Sequence, residues 1–338
     1  MDAPHLRQRI PEDLGGPMPH PAFETGQGTM PTVGDARIPC RTATPGKGSQ
    51  GGRPMRLWAM SDLRIDTSAF TFPEDLPDFD AIIVAGGVST CLEASLRWLA
   101  HALDGRHGSR PVILVPGARE FWNGRPKGET LRRGRALAAD LGIALLSDAV
   151  VRLDDGHGGG VHVVGATLWS DWALNGAPKA TNARAYARYY HADCKRISLG
   201  LDTPYLPHDA AGAHARSRAF IEDVLSSVVV QASGFGVSPV ALIQDAVPGD
   251  RAVVVTHHAP TGRSLPDHLF ETCDEWAPAS LASDLEGIMG AWGAPRIWIH
   301  GHVPRAVDIR IGKTRVVANP RCTERGAAPF DPTLIVEA

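Results

Sequence analysis

The stretch that decides the fold is Ile297-Trp298-Ile299-His300-Gly301-His302-Val303-Pro304. Its apolar run shows no polar alternation, as a strand covered on both faces requires, and it breaks abruptly at glycine and histidine. In open α/β sheets the chemistry gathers where parallel strands stop, so this break marks a candidate site as well as a strand end. Working outward, runs of the same kind occupy Met55–Met60, Ala81–Ala85, Pro111–Val115, Val161–Val164 and Ala252–Thr256. Amphipathic helices lie between several of them. In Leu92–Leu103, for example, Leu92, Leu96, Leu99 and Leu103 share one face. Buried strands alternating with helices predict an α/β fold.

Two regions depart from that rhythm. Val307–Ile311, Thr314–Ala318 and Thr333–Val336 are strand-like with short connections, and Ile311–Thr314 reads as a hairpin turn, which predicts a second, more antiparallel sheet. The segment from about 171 to 235 is rich in Ala, Arg and Tyr and lacks strand runs, so it reads as a helical insertion over one end of the sheets. Tyr186, Tyr189 and Tyr190 are expected to pack it. Gly156–Gly160 is read as a hairpin loop between Val150–Leu153 and Val161–Val164, because no helix opens after it as a phosphate loop requires.

Composition narrows the function classes. The chain has 338 residues, 43% of them hydrophobic, enough for a sizeable core. Lys and Arg number 34 against 37 Asp and Glu, and the net charge of −3 gives no electrostatic reason to expect nucleic acid or an anionic membrane as partner. Cys40, Cys91, Cys194, Cys273 and Cys322 are odd in number and form no C-x-x-C pair, which fits a reducing cytoplasm. The uncharged stretch Val224–Ile243 contains Gln, Ser, Gly and Pro, and reads as a helix end and loop, not a membrane span. Residues 1–54 show no periodicity and read as a disordered leader, or as sequence upstream of a start at Met55; 55–338 then form the folded domain.

The residues that follow the strand runs are Asp62-Leu63-Arg64, Gly86-Gly87-Val88, Gly117-Ala118-Arg119-Glu120, Thr256-His257-His258-Ala259-Pro260 and Gly301-His302-Val303-Pro304. In this order and spacing they resemble the calcineurin-like metallophosphoesterases, whose signature runs D-x-H, G-D, G-N-H-E, a strand-end His and G-H-x-H. The stretches Pro111–Trp122, Gly165–Trp172, Val253–Pro260, Trp298–His302 and Val316–Arg321 look like a bacterial branch of that family. The resemblance runs from Met55 to the C-terminus. It implies a four-layer sandwich of two mixed β-sheets face to face, with helices outside and a metal cleft at the strand ends.

It also implies two divalent cations, of Mn, Fe, Zn or Ni, that lower the pKa of a bound water toward about 7. Carried over position by position, Asp62, His257 and His302 match ligands. The remaining ligand positions are Arg64, Gly87, Ala118 and Pro304, which offer no usable donor atom, and the family's transition-state histidine is Arg119. Glu120 is kept. The expected function is therefore a phosphoester-hydrolase scaffold impaired as a binuclear enzyme, with at most a low-occupancy divalent metal. Arg64 and Arg119 could bind phosphate, holding a small phosphoester or nucleotide, or could pair with Asp62, Asp66 or Glu120. A working hydrolase with one metal on His257 and His302, and a non-catalytic interaction module, stand as alternatives. Asp171 and Asn319 read as turn or cap residues and His258 as the packed neighbour of His257.

Overall fold

The computed structural model describes residues 54–236, 238–271, 276–321 and 329–338, so the expected leader lies outside the described residues except for Pro54. Two sheets form the centre. The first has the order β13-β1-β2-β3-β4, built from β1 (Arg56–Met60), β2 (Ala81–Val84), β3 (Val112–Leu114), β4 (Ile143–Leu145) and β13 (Ile335–Glu337). The second has the order β11-β12-β10-β9-β6-β5, from β5 (Ala149–Asp154), β6 (Gly160–Ala166), β9 (Arg251–Thr256), β10 (Ile297–His300), β11 (Val307–Ile311) and β12 (Thr314–Ala318). β1–β4 are mutually parallel, as are β6, β9, β10 and β12, while β5, β11 and β13 run antiparallel at sheet edges.

Alternate residues of each strand face opposite ways, and the side chains sort accordingly. Leu57, Ala59, Ile83 and Ile113 of the first sheet meet Val163, Val253, Val255 and Ile299 of the second in one buried cluster. The other face of the first sheet, with Trp58, Ile82 and Val84, packs against Leu92, Leu96 and Leu99 of α1 (Leu92–Leu103) and Ala138 of α2 (Lys127–Asp140). The other face of the second sheet, with Val164, Val254 and Trp298, packs against Ile221, Val224 and Val228 of α5 (Pro207–Ala232). That is a four-layer sandwich, two sheets face to face with helices outside, as expected from the sequence.

The insertion contains α3 (Ala177–Tyr190), α4 (Ala192–Arg196) and the long α5, together with a small ribbon of β7 (Ser198–Gly200) and β8 (Thr203–Pro204) that composition did not reveal. Short helices α6 (His268–Glu271), α7 (Trp276–Leu281) and α8 (Glu286–Gly290) precede β10. Two expectations are corrected. The tail does not make a sheet of its own: β11 and β12 extend the second sheet, β12 pairing parallel with β10, while β13 returns to β1 of the first. Tyr186, Tyr189 and Tyr190 do not pack the insertion but are 58%, 68% and 63% exposed. The packed face of α3 is made by Ala180, Ala183 and Ala187, where small side chains allow close approach.

Candidate functional site

The parallel strands of both sheets end on the same side of the molecule, and their loops are tied together by backbone hydrogen bonds. Asp62, Arg64 and Ile65 after β1 donate to the carbonyls of Gly86, Gly87 and Val88 after β2, at 2.8, 3.0 and 2.9 Å. Gly301 after β10 donates to the His257 carbonyl after β9 at 3.0 Å. Asp62, Arg64 and His302 hold positive φ of 53°, 45° and 67°, a region that side chains with a Cβ occupy only when their surroundings impose it.

The structure brings Asp62, His257 and His302 together. Asp62 is 2% exposed, and its Oδ2 accepts from the His302 backbone N–H at 2.9 Å, linking the two sheets across 240 residues of sequence. The fully buried His257 ring presents Nδ1 to the Ala85 carbonyl at 2.8 Å and lies so close to Gly117 that a Cβ there would stand 2.6 Å from its Nε2. Its ring centroid is 4.9 Å from that of His302. Both Nε2 atoms are buried without a hydrogen-bond partner. His258, read from the sequence as the packed neighbour of His257, has its ring 5.5 Å from that of His257 and 4.2 Å from that of His302, with Nδ1 on the Thr167 carbonyl at 3.1 Å. Burial, reinforced by the neighbouring imidazoles, pushes His258 and His302 well below the ordinary histidine range, and burial brings His300 down to about 4.

The other family positions are occupied differently. Gly87 has φ of 73°, and a Cβ on it would lie 2.6 Å from Asp62 Oδ1, so the Asp62 carboxylate fills the space a side chain would need. Ala118 is 1% exposed and packs in an apolar cluster with Phe121, Trp169 and Tyr205. Pro304 lies in the turn before β11. Glu120 is fully buried and its carboxylate is consumed: it accepts from the backbone N–H groups of Gly87, Val88 and Gly117 at 3.1, 2.7 and 2.9 Å and from Ser95 Oγ at 3.3 Å. Among the described residues, no group of three or more His, Cys, Asp or Glu side chains is placed to share one ion.

Arg119 donates to Asp66 at 2.7 Å, and its guanidinium lies 4.9 Å over the Trp122 ring. Arg64 is half-buried. The Nε of each is shut off from solvent with no partner. Asp171 accepts from the Ala173 N–H and from Ser283 Oγ, both at 2.9 Å, and Asn319 Nδ2 donates to the carbonyls of Ala59 and Asp331 at 2.9 and 2.7 Å; both hold loops.

No protein-family profile matches the chain, and no curated protein matches it. Solved structures do. The phosphopantetheinyl hydrolase PptH from Mycobacterium tuberculosis aligns with a TM-score of 0.54 at 18% identity, over 85% of this chain and 96% of that one. This chain shares its fold. A dimetal phosphatase from Danio rerio aligns at 10% identity with a TM-score of 0.41, over 79% of this chain and 87% of that chain. Within the shared sandwich, the cluster of Asp62, His257 and His302 occupies the ends of the parallel strands, where this architecture gathers its loops.

Proposed function

We propose that this protein binds a phosphoester or similar small anion at the strand ends and lacks the binuclear metal centre that the family resemblance implies. The observation that carries this reading is a pair of buried guanidinium nitrogens left without partners in the strand-end loops, Arg64 Nε and Arg119 Nε. Asp62 and Glu120 already accept backbone N–H groups, so neither is free to take these two donors, and an anion supplies the missing acceptors. The residues do not fit a bridged pair of cations, because the bridging position is Gly87 and its side-chain space is taken by Asp62. The likeness of fold to a phosphopantetheinyl hydrolase supports the phosphoester class.

The test is thermal unfolding of the full chain with inorganic phosphate, adenosine monophosphate or 4′-phosphopantetheine. A ligand present at 100 times its dissociation constant adds about 2.7 kcal/mol, or roughly 4–5 °C in Tm for a domain of this size. Arg64→Ala combined with Arg119→Ala should abolish the shift. No shift with any phosphoester overturns the reading.

A second reading is favoured by one specific feature, the two buried and unpartnered Nε2 atoms of His257 and His302 on rings 4.9 Å apart. In it these imidazoles hold a single divalent cation. Metal analysis of the purified protein, with aryl phosphate hydrolysis measured with and without Mn²⁺, separates the two: one ion per chain and metal-dependent turnover favour the second reading.

A further inference from the structure

The strand-end site makes no use of the exposed face of α3, which is built of rings. By helical spacing Tyr189 points away from the buried Ala180, Ala183 and Ala187, with Tyr186 and Tyr190 to one side of it and Arg188 to the other. The side with Tyr186 and Tyr190 is that of α7, which packs against both α3 and α6. There the Tyr190 ring lies near-parallel to that of Trp276, 24° between planes with centroids 6.5 Å apart. Phe270 of α6 is 49% exposed. Exposed aromatic surface of this extent marks contact with another macromolecule, and tyrosine and tryptophan are the residues that carry such contacts.

Charge divides across this face. α3 carries Lys179, Arg184 and Arg188 and no acid, whereas residues 267–275 carry Asp267, Glu271, Asp274 and Glu275 and no Lys or Arg. Arg188, Asp267 and Glu271 are exposed, and none of the three makes an ion pair among the described residues. Basic and acidic flanks nearly cancel, so a partner of a single sign would be repelled at one flank as much as it is drawn to the other. A second copy related by a two-fold axis meets neither problem. Each basic flank then lies against the acidic flank of the other copy, both pairings attract, and the rings fill the centre. The alanines seat α3 closely on the body of the domain, which holds the rings in place before any contact and lowers the cost of ordering them.

We infer that α3 and the α6–α7 segment form a two-fold interface between copies of this chain, with Tyr186, Tyr189 and Tyr190 at its centre and Arg188 of each copy facing Asp267 and Glu271 of the other. Every contact is made twice, so a change to one flank acts on both halves of the interface. The flank charges are exposed, so association should weaken as salt rises.

The experiment is sedimentation velocity of the full chain at micromolar concentration, with circular dichroism to verify that each variant folds. A species of twice the chain mass is expected. Arg188→Glu should split it, because the new carboxylate meets two others, and Asp267→Lys with Glu271→Lys should split it for the mirror reason. Mixing these two variants should restore the dimer, since every swapped flank then meets an opposite charge. Tyr186→Ala with Tyr189→Ala should weaken association at least about 10-fold, while Tyr186→Phe with Tyr189→Phe, which keeps the rings, should stay close to the parent. The substituted side chains are all exposed, so folding should be unaffected. A parent chain that stays monomeric overturns the inference and leaves the face to a different macromolecule. A dimer that survives both the charge reversals and the alanine pair overturns it by placing the contact elsewhere. Two monomeric charge variants that stay apart when mixed overturn the two-fold pairing of the flanks.

Discussion

At the scale of single residues, Gly87 shows most directly how the strand-end cluster is built. It sits at φ of 73° with the Asp62 carboxylate against the space its side chain would take. A Cβ there meets two penalties, left-handed backbone at about 1–2 kcal/mol and overpacking at about 1–3 kcal/mol. Gly87→Ala is therefore expected to lose about 2–5 kcal/mol, read as a lower urea midpoint at unchanged slope. A variant as stable as the parent would mean that Asp62 is free to swing away. The same geometry bears on any attempt to rebuild an aspartate at position 87, since the new carboxylate would displace Asp62 before it could share an ion with it. That Asp62, His257 and His302 stand at strand ends could be read from the sequence, because each lies within two residues of an apolar run; that they match ligand positions came from the family resemblance alone. The state of Glu120 could not be read there. Its type matched the family pattern, but that its carboxylate holds Gly87, Val88 and Gly117 in place depends on three loops distant in sequence.

At the scale of elements, the runs ending in Gly or His placed the central strands to within a residue or two, because buried parallel strands have no other composition open to them. The tail was misread. Spacing between strands tells which are joined by short turns, not which sheet each enters, and Ile335–Glu337 crosses from the second sheet to pair with β1 in the register Leu57 to Val336. Val336 is fully buried between the sheets, and Met55 and Ala338 exchange backbone hydrogen bonds of 3.0 and 2.8 Å. Removing Ile335–Ala338 gives up one fully buried valine, worth about 1.5–3 kcal/mol, and a ladder of backbone bonds at about 1 kcal/mol each. The truncated chain is expected to lose at least about 4 kcal/mol and to expose the edge of β1. Chemical denaturation checks the first consequence and size-exclusion chromatography the second. An unchanged midpoint would show that β13 is an ornament on a sheet that closes without it.

At the scale of the whole molecule, the buried histidines tie folding to pH. His214 on α5 is 3% exposed, and burial pushes its pKa below the ordinary histidine value, as burial does for His258, His300 and His302. In the unfolded chain each of these titrates near 6.5. Below that pH the unfolded state takes up protons that the folded state refuses, so stability is complete above about 6.5 and falls as pH drops toward the depressed native values. The opposite sign, stability lost on raising pH, would require native values above 6.5. Asp250 adds a second window at lower pH. Burial alone would raise it, but hydrogen bonds from Arg152 at 2.9 Å and His162 at 2.8 Å outweigh burial and hold it below the ordinary carboxylate range. Its contribution persists until pH falls through that depressed range. The expected profile is a Tm that is flat from about pH 7 to 8 and declines steadily between about 6.5 and 5. His214→Phe removes one proton from the balance, so the slope there should become shallower by up to about 1.4 kcal/mol per pH unit, measured by urea denaturation across the range. A parental slope in that variant would mean that His214 takes up its proton in the folded chain as readily as in the unfolded one.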